Sequence, residues 1–406
     1  MIKNQSQNVI EVTEKYSAHN YHPLPVVIAK AMGIWVEDPE GHRYMDFLSA
    51  YSAVNQGHCH PRIIAALKQQ ADACTLTSRA FYNDQMGPFL KLLCEIADME
   101  MALPMNTGAE AVETAIKASR RWGYEVKGVP ENQAEIIVCS DNFHGRTTTI
   151  VGFSSEPGYK KGFGPFTPGF VTVPYGDIAA FQKAVNKNTV GFLFEPIQGE
   201  AGVVVPPDDY FSSCAKICQQ EKILTMADEI QTGLGRTGKW FCVEHYGFKP
   251  DMYILGKALG GGVLPVSAVT SSKEVLGVFT YGSHGSTFGG NPLASRVALE
   301  SLCVIRDEKL VENAAELGPW FLNELRSIPS THIELIRGKG LMIGMVLKKE
   351  ARGARRFCEA LMKLGLLCKE THENVIRFAP PLIIKKSELE TALEKIRSVL
   401  MNPELL

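Results

Sequence analysis

The sequence predicts an α/β protein, with a large domain on a mostly parallel central sheet and a small α+β domain behind it. Three observations carry this. From Ile136 to Leu255, short apolar runs alternate with helical stretches, the order that lays parallel strands between two layers of helices. Two of those runs, Ile223 to Ala227 and Met252 to Leu255, end in charge: Asp228-Glu229 and, after Gly256, Lys257. Past Asn291-Pro292 the texture changes to long helical periodicity followed by short strands. The expected units are residues 1–46, an N-terminal segment packing with the small domain; 47–292, the large domain; and 293–406, the small domain.

Composition narrows the function. The 406 residues are enough for two substantial cores, and 45% hydrophobic content is ordinary for a soluble protein. A formal net charge of −2 leaves no basic footprint for nucleic acid and no polybasic membrane signal. The polar start, with Glu11 and Glu14, is unlike a signal or transit peptide, and no uncharged apolar stretch reaches membrane-spanning length. Ten scattered cysteines without a C-x-x-C pair read as reduced thiols, so a cytoplasmic protein is expected. His58-Cys59-His60 has no second Cys/His cluster to complete a metal site, and no metal is expected.

Along the chain, Asn20 to Pro25 is extended and punctuated by prolines, and Gly33–Val36 with Tyr44–Phe47 alternate like a hairpin around Asp38-Pro39-Glu40-Gly41. Ser49 to His60 reads as a loop and Pro61 to Cys74 as a helix. Met105 to Glu110 leads into a helix over Ala111–Trp122. Its Thr107-Gly108 turn either offers free N–H groups to a phosphate or simply caps the helix with Asn106 or Thr107. Strands follow at Ile136–Cys139 and Val190–Phe194, with helices at Asp177–Asn186 and Asp208–Glu221. The tail gives helices through Ser327 broken near Asp307, strands at Ile333–Arg337, Leu341–Leu347 and Val375–Phe378, and a last helix capped by Ser387 and Glu390.

Gly233-Leu234-Gly235-Arg236-Thr237-Gly238 matches the dinucleotide fingerprint, and with Lys239 most of a P-loop. Trp240 stands where the P-loop needs a hydroxyl, and the fingerprint neither follows its strand at once nor opens a helix. The glycines are expected instead to form a tight loop beneath a bound ligand.

Asp228 and Lys257 are 29 positions apart (257 − 228), so only the fold can unite them. An acid facing a lysine across strand ends suits pyridoxal phosphate: the lysine condenses with the aldehyde and the acid keeps the ring nitrogen protonated. Lys257 lies in a glycine-rich, uncharged run, where desolvation lowers a lysine's pKa and makes it nucleophilic.

The motifs ADEIQTGLGRTG, GKALGGG and GSTFGGNP, in this order, resemble those of class III pyridoxal phosphate aminotransferases, a likeness that runs from about Tyr16 to the C-terminus. Through NYHPLP, SAYSAVNQGHCHP, SRAFYN, PIQGEAGVVVP and IRFAPPL the chain is most similar to the ornithine δ-aminotransferase branch. The resemblance implies a fold type I transferase, a homodimer, L-ornithine and 2-oxoglutarate as substrates, and pyridoxal phosphate as cofactor. It makes Lys257 the cofactor-linked lysine and proton carrier, Asp228 the partner of the ring nitrogen, and Gln231 the partner of the phenolic oxygen. Phe143 and Ile230 would cover the ring faces. Gly108 and Ala109 would hold the phosphate, with Thr287 reaching over from the second subunit. Arg146 would bind the carboxylate far from the reacting carbon and Arg377 the α-carboxylate of glutamate, with Glu200 neutralising Arg377 when ornithine is bound. Tyr21 would meet ornithine's α-amino group, and Tyr51 would favour a terminal amine. The chain departs from parts of the branch at His144, Ala109 and Phe288; acetylornithine and other ω-amino acid aminotransferases are the alternative the likeness leaves.

Overall fold

The computed structural model describes residues 4–406; the first three positions of the N-terminal segment lie outside the described residues. Seven strands make the central sheet, in the order Met101–Met105, Ser267–Ser271, Met252–Leu255, Leu224–Asp228, Thr189–Phe194, Glu135–Cys139 and Phe170–Val173. The last five pair in parallel, while Ser267–Ser271 runs antiparallel to both neighbours. Thr189–Phe194 is buried at every position, which is why it reads as a continuous apolar run without alternation. Gly191 lets the helix Gly108–Trp122 approach: a Cβ there would lie 2.6 Å from both Ser119 Oγ and Met226 Cε.

Two four-stranded sheets flank this core. In one, the antiparallel meander Lys30–Met32, Trp35–Glu37 and Arg43–Asp46 gains Leu366–Leu367, parallel to its last strand, so the two ends of the chain share a sheet. In the other, Ile333–Lys339, Met342–Leu347, Val375–Phe378 and Lys369–Thr371 pair antiparallel. The helices Pro292–Asp307 and Leu310–Arg326 are separated at Lys309, whose φ of 54° is left-handed. Asn291 opens the first of them, its side chain accepting the Ala294 N–H at 2.8 Å.

One local expectation changes, and two features go beyond what the sequence predicts. Residues Gln5–Tyr16 form an exposed helix with no buried side chain, and its polar sequence gave little periodic signal. The last helix, Lys386–Met401, starts earlier than Ser387 and Glu390 suggested: Glu388 takes the Lys385 N–H at 2.8 Å. Within the loop after Phe47, Ser49, Ala50, Tyr51 and Ser52 all adopt positive φ, from 45° to 71°. Such a left-handed turn costs L-residues roughly 1–2 kcal/mol each. It is held by Asp46, which accepts the Leu48 and Ser49 N–H groups, and by Ser49 Oγ, which donates to Ala379 O at 2.7 Å.

Candidate active site

The ends of the parallel strands surround a cavity of about 180 Å³. Its lining includes Gly108, Ala109, Phe143, Asp228, Ile230, Gln231 and Lys257, residues from four separate stretches of the chain. Asp228 ends its strand, and the two-residue strand period sends the adjacent carboxylates to opposite faces. Asp228 faces the cavity; Glu229 turns into the core, accepting the Val243 N–H at 2.9 Å and the Thr232 hydroxyl at 2.5 Å, and burial raises it to about 7. Lys257 follows Met252–Leu255 through Gly256 and has a left-handed φ of 47° that turns it into the cavity, a strained backbone at a candidate reactive group. Burial lowers its ammonium to about 8, against the pull of nearby Glu200.

The start of the helix Gly108–Trp122 also borders the cavity. Thr107 does cap it: its Oγ1 accepts the Glu110 N–H at 3.3 Å, and Glu110 returns a bond to the Thr107 N–H at 2.7 Å. That reciprocal cap leaves the first-turn N–H groups of Gly108 and Ala109 without intrahelical acceptors, beside the cavity. The two expected roles of this turn are compatible.

Two residues that sequence reasoning did not assign line the same space. His144, buried, sets its Nδ1 2.6 Å from Asp228 Oδ2, while Asp228 Oδ1 accepts the Ile230 N–H at 3.1 Å. The carboxylate is thereby fixed in orientation. Glu195, at the end of Thr189–Phe194, accepts the Phe143 N–H at 2.9 Å; burial, then the charge of Asp228, pushes its carboxyl well above the usual range. The adjacency of His144 to Phe143 was the available signal for the first; the strand-end position of Glu195 was the signal for the second.

The candidate substrate residues divide. Arg377, 2% exposed, donates from Nη1 to Glu200 Oε1 at 2.7 Å and to Gln231 Oε1 at 3.3 Å, with the Tyr51 ring centre 4.9 Å from its guanidinium carbon. Gln231 Nε2 donates to the same Glu200 oxygen at 3.1 Å. Burial alone would raise Glu200, but the charges of Arg377 and Lys257 and its hydrogen bonds outweigh it and hold it at about 2. Arg146 is exposed and lies over Tyr159. Tyr21 is 75% exposed, and Thr287 is exposed outside the cavity lining of its own chain. The loop Gly233–Gly238, expected beneath the ligand, does not line the cavity; a Cβ on Gly238 would come within 2.8 Å of Ala315 Cα, so the loop packs on the helix Leu310–Arg326.

An anion seat at a helix N-terminus, an oriented carboxylate, an aromatic wall and a desolvated lysine around one cavity fit an aldehyde-bearing, phosphorylated pyridine. The comparisons agree on the class. The family model for class III aminotransferases matches residues 16–400, and the chain belongs to that family. It is 61% identical over 398 residues to ornithine aminotransferase of Bacillus subtilis, covering 98% of each chain. An ornithine aminotransferase structure from Toxoplasma gondii, described with partial occupancy of PLP at its active site, superposes with a TM-score of 0.96 at 42% identity, covering 98% of this chain and 94% of that one. An acetylornithine aminotransferase from Elizabethkingia anophelis superposes at 0.89 with 44% identity, covering 98% and 100%.

Proposed function

We propose that the chain is an ornithine δ-aminotransferase, which moves the terminal amino group of L-ornithine to 2-oxoglutarate. The products are glutamate and glutamate 5-semialdehyde, which cyclises to pyrroline-5-carboxylate, a step between arginine and proline metabolism. The observation that carries this reading is Arg377 masked by Glu200 while Arg146 is open. An enzyme that takes a terminal amine in one half-reaction and an α-amine in the other needs one carboxylate anchor that can be switched off.

Pyridoxal phosphate, when bound, supplies an electron sink that stabilises negative charge on the carbon bearing the reacting amine. The chain's residues do the rest. Gly108 and Ala109 N–H groups bind the phosphate, and Thr287 reaches across a homodimer interface into the second copy's site. Phe143 and Ile230 enclose the ring and keep water from it. Asp228, oriented by His144, holds a proton at the ring nitrogen, and Gln231 bonds the phenolic oxygen. Lys257 Nζ anchors the cofactor, then takes the proton from the reacting carbon and returns it as a general base and acid. Arg146 forks onto the distal carboxylate of either substrate, with Tyr21 meeting the α-amino group of ornithine and Tyr51 filling the space beside Arg377. Ten free cysteines suit a cytoplasmic setting.

The alternative is an acetylornithine aminotransferase, favoured by His144 after Phe143. An acetylated α-amine carries no positive charge for Tyr21 to meet. A single-turnover absorbance experiment on cofactor-loaded protein decides between them. Rapid loss of the cofactor's visible band with L-ornithine, slow loss with N-acetylornithine and a trapped pyrroline product are expected. Faster reaction of N-acetylornithine would overturn the substrate assignment, and a Lys257→Ala protein turning over at the parent rate would overturn the mechanism.

A further inference from the structure

The ring beneath Arg146 belongs to Tyr159, a residue without an assigned role. It stands on the short helix Pro157–Lys160, where the Glu156 carboxylate accepts the Gly158 N–H at 3.2 Å. The Arg146 guanidinium carbon lies 3.7 Å from the centre of the Tyr159 ring and 5.3 Å from that of Phe143. Tyr159 in turn meets Phe143 edge-on, with ring centres 6.1 Å apart and planes at 79°. One phenol thus touches both the exposed arginine and the aromatic wall of the cavity.

Among the described residues Arg146 forms no ion pair. An exposed arginine without an acid must give up rotamer freedom when it binds a carboxylate, which offsets part of the gain. A ring stacked under the guanidinium removes that freedom and occupies only its face, leaving the edge donors free to fork onto a carboxylate. An acid in the same place would fix the side chain equally well but would consume those donors. Burial raises the Tyr159 hydroxyl pKa, against the lowering pull of Arg146, so the platform stays neutral at working pH.

We propose that Tyr159 is a positioning residue that holds the Arg146 fork toward the substrate's distal carboxylate. The inference rests on the reading of Arg146 as a carboxylate anchor. Its test is the affinity of cofactor-loaded protein for glutarate, a dicarboxylate that cannot be transaminated, measured by calorimetry in Tyr159→Leu and Tyr159→Phe. Leucine is expected to weaken glutarate by roughly five- to thirty-fold and to raise the ornithine KM with little change in kcat, whereas phenylalanine keeps the parent affinity. Affinity for pyridoxal phosphate, from the visible spectrum, should stay within about threefold in both variants. Unchanged glutarate affinity in Tyr159→Leu, or parallel loss of glutarate and cofactor affinity, overturns the proposal. Glutarate binding is read without turnover, so a protein inactive toward ornithine would sink the proposed function and leave this test intact.

Discussion

Arg146 and Arg377 are the same side chain in two opposite settings. Arg377 is built into the strand Val375–Phe378, buried to 2%, and bonded to a carboxylate at 2.7 Å. Arg146 sits in a loop, exposed, with a tyrosine face at 3.7 Å. Each has an aromatic neighbour, so the ring is common to both, and what separates them is burial and the acid. An arginine on a ring is ready for a carboxylate. An arginine already holding one must exchange it, and a buried charge cannot be left unpaired without a cost of several kcal/mol. On the proposed roles, the mask comes off only when the incoming group is itself a carboxylate suitably placed to replace Glu200. In the proposed reaction glutarate-length acids meet that condition and ornithine's ammonium does not.

The comparison breaks most visibly at its open end. Arg146→Leu is expected to lower kcat/KM for ornithine and for glutamate together, by roughly 10²–10³-fold, because both substrates would use that fork. Loss confined to one half-reaction, measured by single-turnover absorbance, would show that the two arginines are not divided as argued. Removing the mask is the next largest effect. Glu200→Ala leaves Arg377 with Gln231 Oε1 alone at 3.3 Å and should shift the preference toward glutamate by roughly ten- to a hundred-fold. An unchanged ratio of the two kcat/KM values would remove the switch from the mechanism.

Legibility in the sequence follows the distance over which each feature is determined. The central strands were readable because a covered strand is a continuous apolar run, and Asp228 and Lys257 were readable because they end such runs. The turn before the helix Gly108–Trp122 was readable only as a choice, since Thr107 could cap the helix or leave it open; the cap is formed, and it leaves the Gly108 and Ala109 N–H groups available for the proposed phosphate. The His144–Asp228 contact joins positions 84 apart, and the Glu200–Arg377 pair positions 177 apart. No local period encodes those pairs; family likeness suggested the second but not the first. The left-handed turn carrying Tyr51 contains no glycine to announce it, being stabilised by Asp46 and by Ala379 O, far along the chain. The start of the last helix was misplaced for a simpler reason: its first acceptor is Glu388 at N3, and a lysine at the N-cap lacks the usual hydroxyl or amide signature.

The smallest expected effect tests whether the mask is chemical or acidic. Glu200 has its pKa lowered from 4.5 to about 2, so its contribution to stability and to masking is complete above 4.5 and disappears only as pH falls toward 2. Tyr51 is raised by burial despite Arg377, and Tyr159 likewise despite Arg146; both phenols are neutral below their ordinary value of 10. Between pH 6.5 and 9 Glu200, Tyr51 and Tyr159 keep their charge, while Lys257, at about 8, titrates within the window but serves both half-reactions, and deprotonation of the substrates' amines likewise raises both in parallel. The ratio of kcat/KM for glutamate to that for ornithine should accordingly vary by less than about threefold across that window, even though each value rises. A ratio climbing steeply toward acid would mean that protonation of Glu200 uncovers Arg377. Displacement by a competing carboxylate would then no longer be what distinguishes the buried arginine from the exposed one.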